Sequence, residues 1–281
     1  MKKAVITGAT GFLGYVLLKE LINNEVYVYV LIRKNSKRKS RLDGLKNIEI
    51  IEVTKLCEEL DCRIDDADVF YHLAWEGERN NFEEQYINVD ITVNCLKLAS
   101  ALGCKRFVCT GSQAEYGLTN ELITEETPLN PTTAYGACKV AAYYLAQDYA
   151  KRLNIELTWA RVFSVYGSND NPHTLISTLT VDLQSGKVIK LQTDGEHIWN
   201  YLHEEDVARA LRLLGICNES NTVYNVASSE SRPLKDYVGI LRGKINQEAT
   251  IKYSDKKSSV NLNVKPDKLI KDIKNFERLS F

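Results

Sequence analysis

The stretch Thr7-Gly8-Ala9-Thr10-Gly11-Phe12-Leu13-Gly14 decides the fold, because its three glycines lie between an apolar strand-like run and a helix-like segment. Gly8 permits a tight turn, Gly11 lets the backbone approach a pyrophosphate, and Gly14 lets the helix pack closely on the sheet. The helix that follows supplies free N–H groups and the positive end of its dipole. In this strand–turn–helix setting the spacing G-x-x-G-x-x-G predicts a dinucleotide-binding site.

Strand-like and helix-like segments alternate from this turn through the first two-thirds of the chain. The predicted strands are Lys2–Thr7, Tyr27–Ile32, Ile48–Val53, Val69–Ala74, Arg106–Thr110 and Ile155–Arg161. The predicted helices are Phe12–Asn23, about Phe82–Leu102 and Ala134–Leu153. Because the strands are apolar throughout, they suit a sheet covered on both faces. The alternation predicts an α/β fold with a doubly wound parallel sheet of Rossmann type.

The pattern changes after Tyr166, where the loop Gly167–Pro172 leads to a predicted helix from about His173 to Gln184 and then to short strands and polar turns. We therefore expect a dinucleotide-binding domain over residues 1–166. Residues 167–281 should form mostly a smaller C-terminal substrate-binding lobe, with some segments returning to the sheet. The ligand crevice is expected between them, at the carboxyl ends of the strands.

Composition and charge exclude several classes of protein. The 281 residues are 44% apolar and 26% charged, which is typical of a globular enzyme. A formal charge of −1 provides no field for nucleic acid, and no apolar run approaches the length of a membrane span. The first residues lack the features of a signal peptide. We expect a cytoplasmic protein with neither nucleic acid nor membrane as a partner.

The cysteines and histidines suggest no metal site and no disulfide framework. There are seven cysteines, an odd number without a C-x-x-C pair, and only four scattered histidines. The cysteines are Cys57, Cys62, Cys95, Cys104, Cys109, Cys138 and Cys217. We expect them to be small, reduced core residues.

The end of the second strand bears on the choice of cofactor. An acidic residue there would bind the 2′-hydroxyl of a ribose, whereas a basic residue accepts the 2′-phosphate of NADP. The acidic position falls on Ile32 and is followed by Arg33 and Lys34, with no carboxylate between Leu31 and Ser40. NADP(H) is therefore favoured and NAD(H) stays possible, while the alternative reading of the cluster is a solvated basic loop.

Tyr135 and Lys139 form a Y-x-x-x-K pattern at the start of a predicted helix. A spacing of four puts both side chains on one helical face, where the ammonium can stabilise a phenolate. With fifteen tyrosines in the chain, the pattern alone is weak. Its position is what favours a catalytic role, because it follows the fifth strand and the sequence Thr110–Gly117.

Several motifs in order resemble the extended short-chain dehydrogenase/reductase family, in its NAD-dependent epimerase/dehydratase group that acts on nucleotide sugars. The motifs are TGATGFLG (Thr7–Gly14), HLA (His72–Ala74), SQAEYG (Ser112–Gly117), YGACK (Tyr135–Lys139), RVFSVYG (Arg161–Gly167) and YLHEEDVA (Tyr201–Ala208). The resemblance implies that Tyr135 is the general acid/base, that Lys139 tunes it, and that Ser112 hydrogen-bonds the same sugar oxygen.

The resemblance also implies binding residues. For the cofactor these are Gly8, Thr10, Gly11, Phe12, Leu13, Arg33, Lys34, Leu73, Ala74 and Asn88, together with Tyr135 and Lys139. For the substrate we expect Trp75, Gln113, Asn171, His173 and Trp199. His72 and Arg161 are expected to serve the fold. Members of this family commonly dimerise, so the resemblance further implies a homodimer through the helices that begin near Phe82 and Ala134.

Departures from the family pattern narrow the choice among the reactions that the family catalyses. Dehydratases of the family carry acidic residues just after the catalytic Ser or Thr, but this chain has Gln113 and Ala114 there, and Glu115 is one place off. Ser164 replaces a usual asparagine, and Trp199 replaces a usual arginine. An aromatic residue in that place resembles 4-ketoreductases for 6-deoxy sugars.

The expected activity is therefore NADPH-dependent reduction of the C4 ketone of a nucleotide-linked 4-keto-6-deoxy sugar. The alternative is a 4-epimerase that keeps NAD tightly bound and uses the same three residues. A third reading, a non-catalytic NADP-binding protein, is disfavoured by the intact set Ser112, Tyr135 and Lys139.

Overall fold

The computed structural model describes residues 1–57 and 64–281, so Cys62 lies outside the described residues. The strands are β1 (Lys3–Thr7), β2 (Tyr27–Arg33), β3 (Ile48–Val53), β4 (Val69–His72), β5 (Arg106–Ser112), β6 (Glu156–Val162), β7 (Ser164–Tyr166), β8 (Ile189–Lys190), β9 (Ile198–Trp199), β10 (Tyr201–His203), β11 (Thr222–Val226), β12 (Arg232–Pro233) and β13 (Ile251–Lys252). The helices are α1 (Phe12–Asn23), α2 (Phe82–Ala101), α3 (Ala134–Leu153), α4 (Leu175–Gln184), α5 (Glu204–Leu214), α6 (Leu234–Ile245) and α7 (Asp267–Asp272). The predicted strands and helices are confirmed to within a few residues at their ends.

Seven strands form one parallel sheet in the order β11-β6-β5-β4-β1-β2-β3. The order in which successive strands are added reverses at β1. This strand pairs with β2 on one side and with β4 on the other. Thr7, the last residue of β1, lies opposite Leu31 in β2 and His72 in β4. Such a reversal opens a crevice at the carboxyl ends of the strands. The predicted α/β fold of Rossmann type is confirmed.

Helices cover both faces of the sheet. Helices α1 and α5 pack on one face, and α2 and α3 pack together on the other. Within β1 the side chains alternate, since Ala4 and Ile6 belong to the first core and Val5 to the second. A strand buried on both faces has no polar side to present, which explains its uninterrupted apolar sequence.

The chain after residue 166 contributes both to the central sheet and to a separate apolar cluster. Helix α5 and strand β11 return to the sheet, and the Tyr224 hydroxyl in β11 donates to Asp272 in α7 over 2.9 Å. Helices α4 and α6 instead pack on each other around a separate apolar cluster that includes Leu183 and Tyr237. The division into residues 1–166 and 167–281 stays a prediction.

One expectation about the cysteines is wrong. Cys57 and Cys95 form a disulfide, although 38 positions separate them in the sequence. Their pairing depends on the turn after β3 lying against α2, which cysteine spacing does not reveal. Cys104, Cys109 and Cys138 are buried free thiols, as expected, and Cys217 is a partly exposed one.

None of the helices in residues 1–57 and 64–281 combines the length and the apolar character that crossing a bilayer requires.

Candidate active site

The glycine turn is held against the end of β4 by a contact that leaves no room for a side chain. Gly8 has a φ of +80°, and a Cβ added to it would lie 2.6 Å from the Ala74 nitrogen and 2.7 Å from the Leu73 carbonyl carbon. A Cβ on Gly14 would lie 2.1 Å from the Gly8 oxygen. Both positions therefore require glycine. Gly11 precedes α1 without a side-chain cap, so the first N–H groups of the helix stay available to an anion.

A cavity of about 520 Å³ opens beside this turn. Eight predicted site residues line it, namely Gly8, Thr10, Gly11, Arg33, Leu73, Ala74, Trp75 and Asn88. The other lining residues were not among the predicted site residues and are Leu31, Ile32, Asn35, Ser36, Thr54, Lys55, Leu56, Glu76, Ile87 and Ile91. Phe12, Leu13 and Lys34, which were also predicted, are not among the described residues that line it. Backbone glycines, an uncapped helix start and a mixed polar and apolar wall suit a dinucleotide.

Arg33 lies at the mouth of this cavity and is paired with Glu76. The guanidinium Nη1 donates to Glu76 Oε1 over 2.6 Å, and the two side chains are 42% and 52% exposed. An ion pair this exposed contributes about 1 kcal/mol or less. Arg33 can therefore leave Glu76 for a ligand phosphate, while the side chain of Lys34 is exposed next to it.

The three predicted catalytic residues come together at the ends of two elements. Ser112 is the last residue of β5, and Tyr135 and Lys139 lie one turn apart at the start of α3. A Cβ on Gly136 would lie 2.4 Å from the Ala114 oxygen, so this glycine lets α3 approach the turn after β5. Burial raises the pKa of Tyr135, and a hydrogen bond with Ser112 opposes that effect.

Lys139 is buried and fixed. Its Nζ donates to the backbone carbonyl oxygen of Thr110 over 2.6 Å. Burial lowers the pKa of Lys139 to about 8. The ammonium lies 3.6 Å from the centroid of the Trp75 ring and 5.8 Å from that of Tyr135. The lysine thus links β5, the tyrosine and the segment after β4.

Two predicted substrate residues lie next to this trio. The Trp75 indole meets the Tyr135 ring edge to face with centroids 5.9 Å apart, and its Nε1 donates to Gln85 Oε1 over 2.7 Å. Gln113 accepts a hydrogen bond from the Ser112 hydroxyl over 3.3 Å. As a neutral amide, Gln113 can orient this hydroxyl but offers no carboxylate for proton transfer.

Asn88 and Glu76 fix the backbone next to Trp75. Asn88 Oδ1 accepts from the Glu76 nitrogen over 3.0 Å, and its Nδ2 donates to the Glu76 oxygen over 2.9 Å. Asn88 is buried, so the amide pairs with the backbone of the segment that lines the cavity.

The remaining predicted substrate residues lie farther along the chain. Asn171 and His173 are exposed in the loop ahead of α4, and Asn171 Oδ1 accepts from the His173 nitrogen over 3.0 Å. Trp199 is partly buried, and its Nε1 donates to the Ser164 hydroxyl over 3.0 Å. The two departures from the family pattern at Ser164 and Trp199 therefore contact each other.

His72 is part of the core. One ring nitrogen lies 2.8 Å from the Thr7 hydroxyl and the other 3.2 Å from the Thr92 hydroxyl. Burial, and next the charge of Lys139, lower the pKa of His72 to about 3. The imidazole is therefore neutral near pH 7 and joins β1, β4 and α2.

A buried ion pair holds the backbone of Ser112, the predicted catalytic serine. The Glu115 carboxylate accepts from the Ser112 nitrogen over 2.8 Å and from Arg161 Nε over 2.7 Å. It also accepts from the Trp159 indole over 3.0 Å. Glu115 is fully buried and Arg161 is 2% exposed. Glu115 is thus paired within the fold and is not among the described residues that line the cavity, and Arg161 is its buried counter-charge.

Two contacts at the site could not be predicted from any pattern in the sequence. Arg79 lies over the Tyr135 ring, with its guanidinium carbon 4.7 Å from the centroid, and its backbone oxygen accepts from the Tyr135 nitrogen over 3.0 Å. Gln85, which holds Trp75, is a fully buried amide on α2. Both depend on how the segment between β4 and α2 folds back over α3.

Comparisons with known proteins agree with this architecture. The sequence profile of the NAD dependent epimerase/dehydratase family matches residues 4–227. A trifunctional UDP-glucose 4,6-dehydratase/UDP-4-keto-6-deoxy-D-glucose 3,5-epimerase/UDP-4-keto-L-rhamnose-reductase of Arabidopsis thaliana is 27% identical over 90% of this chain, which spans only 41% of that longer protein. A dTDP-6-deoxy-L-talose 4-dehydrogenase (NAD(+)) of Aggregatibacter actinomycetemcomitans is 23% identical over 89% of this chain and 93% of its own.

Among solved structures, the UDP-glucuronic acid 4-epimerase of Bacillus cereus in complex with NAD is similar, with a TM-score of 0.84 and 20% identity. The match covers 99% of this chain and 94% of the epimerase. At this identity the likeness shows that the two proteins share a fold.

Replacing Glu115 tests the support of Ser112. We expect Glu115→Gln to lower the free energy of unfolding by about 3 kcal/mol, because it leaves the Arg161 guanidinium buried without its counter-charge. The double variant Glu115→Gln/Arg161→Met should lose less than Glu115→Gln alone. Urea denaturation measures both, and a stability of Glu115→Gln within about 0.5 kcal/mol of wild type would contradict the assigned role.

Proposed function

Because this chain belongs to the NAD-dependent epimerase/dehydratase family, we propose that it reduces the C4 ketone of a nucleotide-linked 4-keto-6-deoxy sugar with NADPH. Family membership supports an enzyme of the nucleotide-sugar class that uses a nicotinamide dinucleotide. One observation carries the finer proposal. Ser112, Tyr135 and Lys139 converge beside the cavity at the glycine turn, while the neutral Gln113 takes the place of a dehydratase acid.

The protonation state of Tyr135 suits proton donation to a ketone oxygen. Burial raises the pKa of Tyr135 above its ordinary value, so the phenol keeps its proton near pH 7. Bound NADPH would supply the hydride. Tyr135 would give its proton to the oxygen at C4, and the Ser112 hydroxyl would donate a hydrogen bond to the same oxygen.

Lys139 stabilises the tyrosinate that remains after this proton transfer. Its ammonium is held near the Tyr135 ring by the Thr110 carbonyl. With a pKa lowered to about 8 by burial, Lys139 carries its charge below that pH and loses it above. A positive charge next to a phenolate stabilises the phenolate, so the phenol donates its proton more readily.

The second candidate is a 4-epimerase that retains NAD. It would use Ser112, Tyr135 and Lys139 to remove and return hydrogen at one carbon. The pairing of Arg33 with Glu76 favours this candidate, because it puts a carboxylate at the mouth of the cavity, where it could accept a ribose 2′-hydroxyl. The absence of any carboxylate between Leu31 and Ser40 favours NADPH and the reductase.

Two further proposals concern the assembly and the location of the protein. We propose a homodimer through α2 and α3, because large apolar side chains are exposed on both helices, among them Phe82 and Tyr86 on α2 and Tyr144 and Leu145 on α3. We also propose a cytoplasmic location.

Tyr135→Phe tests the catalytic assignment. The variant should lower kcat by about 10²- to 10⁴-fold, the usual contribution of a general acid, while NADPH affinity stays nearly unchanged. Steady-state kinetics with a panel of nucleotide 4-keto-6-deoxy sugars and a binding isotherm for NADPH measure the two quantities. Tyr149→Phe, on the same helix and away from Ser112, is the matched control. Retained turnover in Tyr135→Phe would remove this residue as the acid.

Arg33→Asp tests the 2′-phosphate assignment. It should weaken NADPH binding on the order of 10- to 100-fold more than NADH binding, because a charge-assisted contact becomes a repulsion. Glu76→Gln removes the competing carboxylate and should shift the preference toward NADPH instead. Titration calorimetry with both dinucleotides gives the ratios. An equal loss of NADPH and NADH affinity in Arg33→Asp would overturn the assignment.

A further inference from the structure

We propose that Trp75 is a movable cover on Lys139, which binds the ammonium through its indole face until the nicotinamide riboside half of a dinucleotide displaces it. The inference rests on the dinucleotide site and holds for a reductase and an epimerase alike. It concerns a step before the chemistry, namely how the reactive half of the cofactor gains access to the catalytic residues.

The contact between the two side chains is close and buried. Lys139 Nζ lies 3.6 Å from the centroid of the Trp75 ring, so the ammonium rests on the ring face. Lys139 is only 2% exposed. An ammonium has three N–H donors, and the Thr110 oxygen accepts one of them. The indole face therefore lies where Lys139 would otherwise offer a donor to a ligand oxygen.

Trp75 separates the cavity from the catalytic residues. It lines the cavity together with Leu73 and Ala74, and it contacts both Lys139 and Tyr135 from the same position. Ser112, Tyr135 and Lys139 are not among the described residues that line this cavity. A hydride donor must lie beside the carbon whose oxygen Tyr135 protonates. A dinucleotide whose adenosine half fills the cavity must therefore extend past the indole.

The side chain can move without the backbone. Both backbone groups of Glu76 are bonded to Asn88, so the chain next to Trp75 is fixed. The indole itself is partly exposed and packs only in part against the core beneath α2 and α3. It meets the Tyr135 ring at an edge and is otherwise held by the Lys139 ammonium and by one hydrogen bond, from Nε1 to Gln85 Oε1 over 2.7 Å. Rotation about the side-chain torsions would break that bond and uncover Lys139.

The test compares ligands with and without the nicotinamide riboside. Calorimetry on the 281-residue protein would give dissociation constants for NADH and NADPH, and for ADP and adenosine 2′,5′-bisphosphate, which lack that half. Trp75→Ala should tighten both dinucleotides about tenfold, the size expected for removing one desolvated cation–π contact that must otherwise be broken. The two shorter nucleotides should change by less than about twofold.

Two further variants keep the result interpretable. Trp75→Phe preserves an aromatic face, so its effect on the dinucleotides should be smaller than that of Trp75→Ala and of the same sign. Tyr149→Phe changes an aromatic residue on α3 that does not line the cavity, and it should leave all four dissociation constants near those of wild type. Circular dichroism and Tm establish that each variant is folded.

Three outcomes would contradict the proposal that Trp75 is a movable cover on Lys139. Weaker dinucleotide binding in Trp75→Ala would mean that the indole stays and stacks on the nicotinamide. Equal changes for all four nucleotides would mean that Trp75 shapes the cavity as a whole. If wild-type protein binds ADP but neither dinucleotide, and Trp75→Ala does not restore binding, the dinucleotide assignment fails together with the cover.

Discussion

The structure depends on the close approach of the Gly8 backbone to the end of β4. With 2.6 Å between a notional Cβ at Gly8 and the Ala74 nitrogen, any side chain would push β1 and β4 apart. That separation would disturb the pairing at which the strand order reverses. It would also move the start of α1, where Gly11 lines the cavity and no side chain caps the first N–H groups. The proposed anion site, the crevice and the segment that carries Trp75 therefore share one steric constraint.

Buried polar groups then hold the proposed catalytic residues at fixed positions. Lys139 is anchored to β5 through the Thr110 oxygen, and Ser112 is anchored through its nitrogen to the Glu115–Arg161 ion pair. A buried pair of this kind adds little net stability compared with apolar packing, but it is costly to break. The sequence thus uses charged groups where orientation matters and apolar groups where packing suffices.

Much of this arrangement could be predicted from the sequence, because it depends on local patterns. The glycine turn, the six early strands and the Tyr135–Lys139 spacing each follow from a short stretch of chain, and the structure has the strands where they were expected. The Cys57–Cys95 disulfide, the Arg33–Glu76 pair and the Trp75–Lys139 contact could not be predicted, since each joins residues whose meeting depends on how loops fold over the sheet. No single-sequence pattern specifies such a loop.

Isotope transfer tests the central claim most directly. Purified enzyme would be incubated with a nucleotide 4-keto-6-deoxy sugar and NADPH that carries deuterium at both C4 positions of the nicotinamide ring. The account predicts one deuterium at C4 of the product sugar for each NADPH consumed, as measured by mass spectrometry and NMR. A 4-epimerised nucleotide sugar formed from a non-keto substrate, with no NADPH consumed and NAD retained through purification, would contradict the reductase and establish the epimerase.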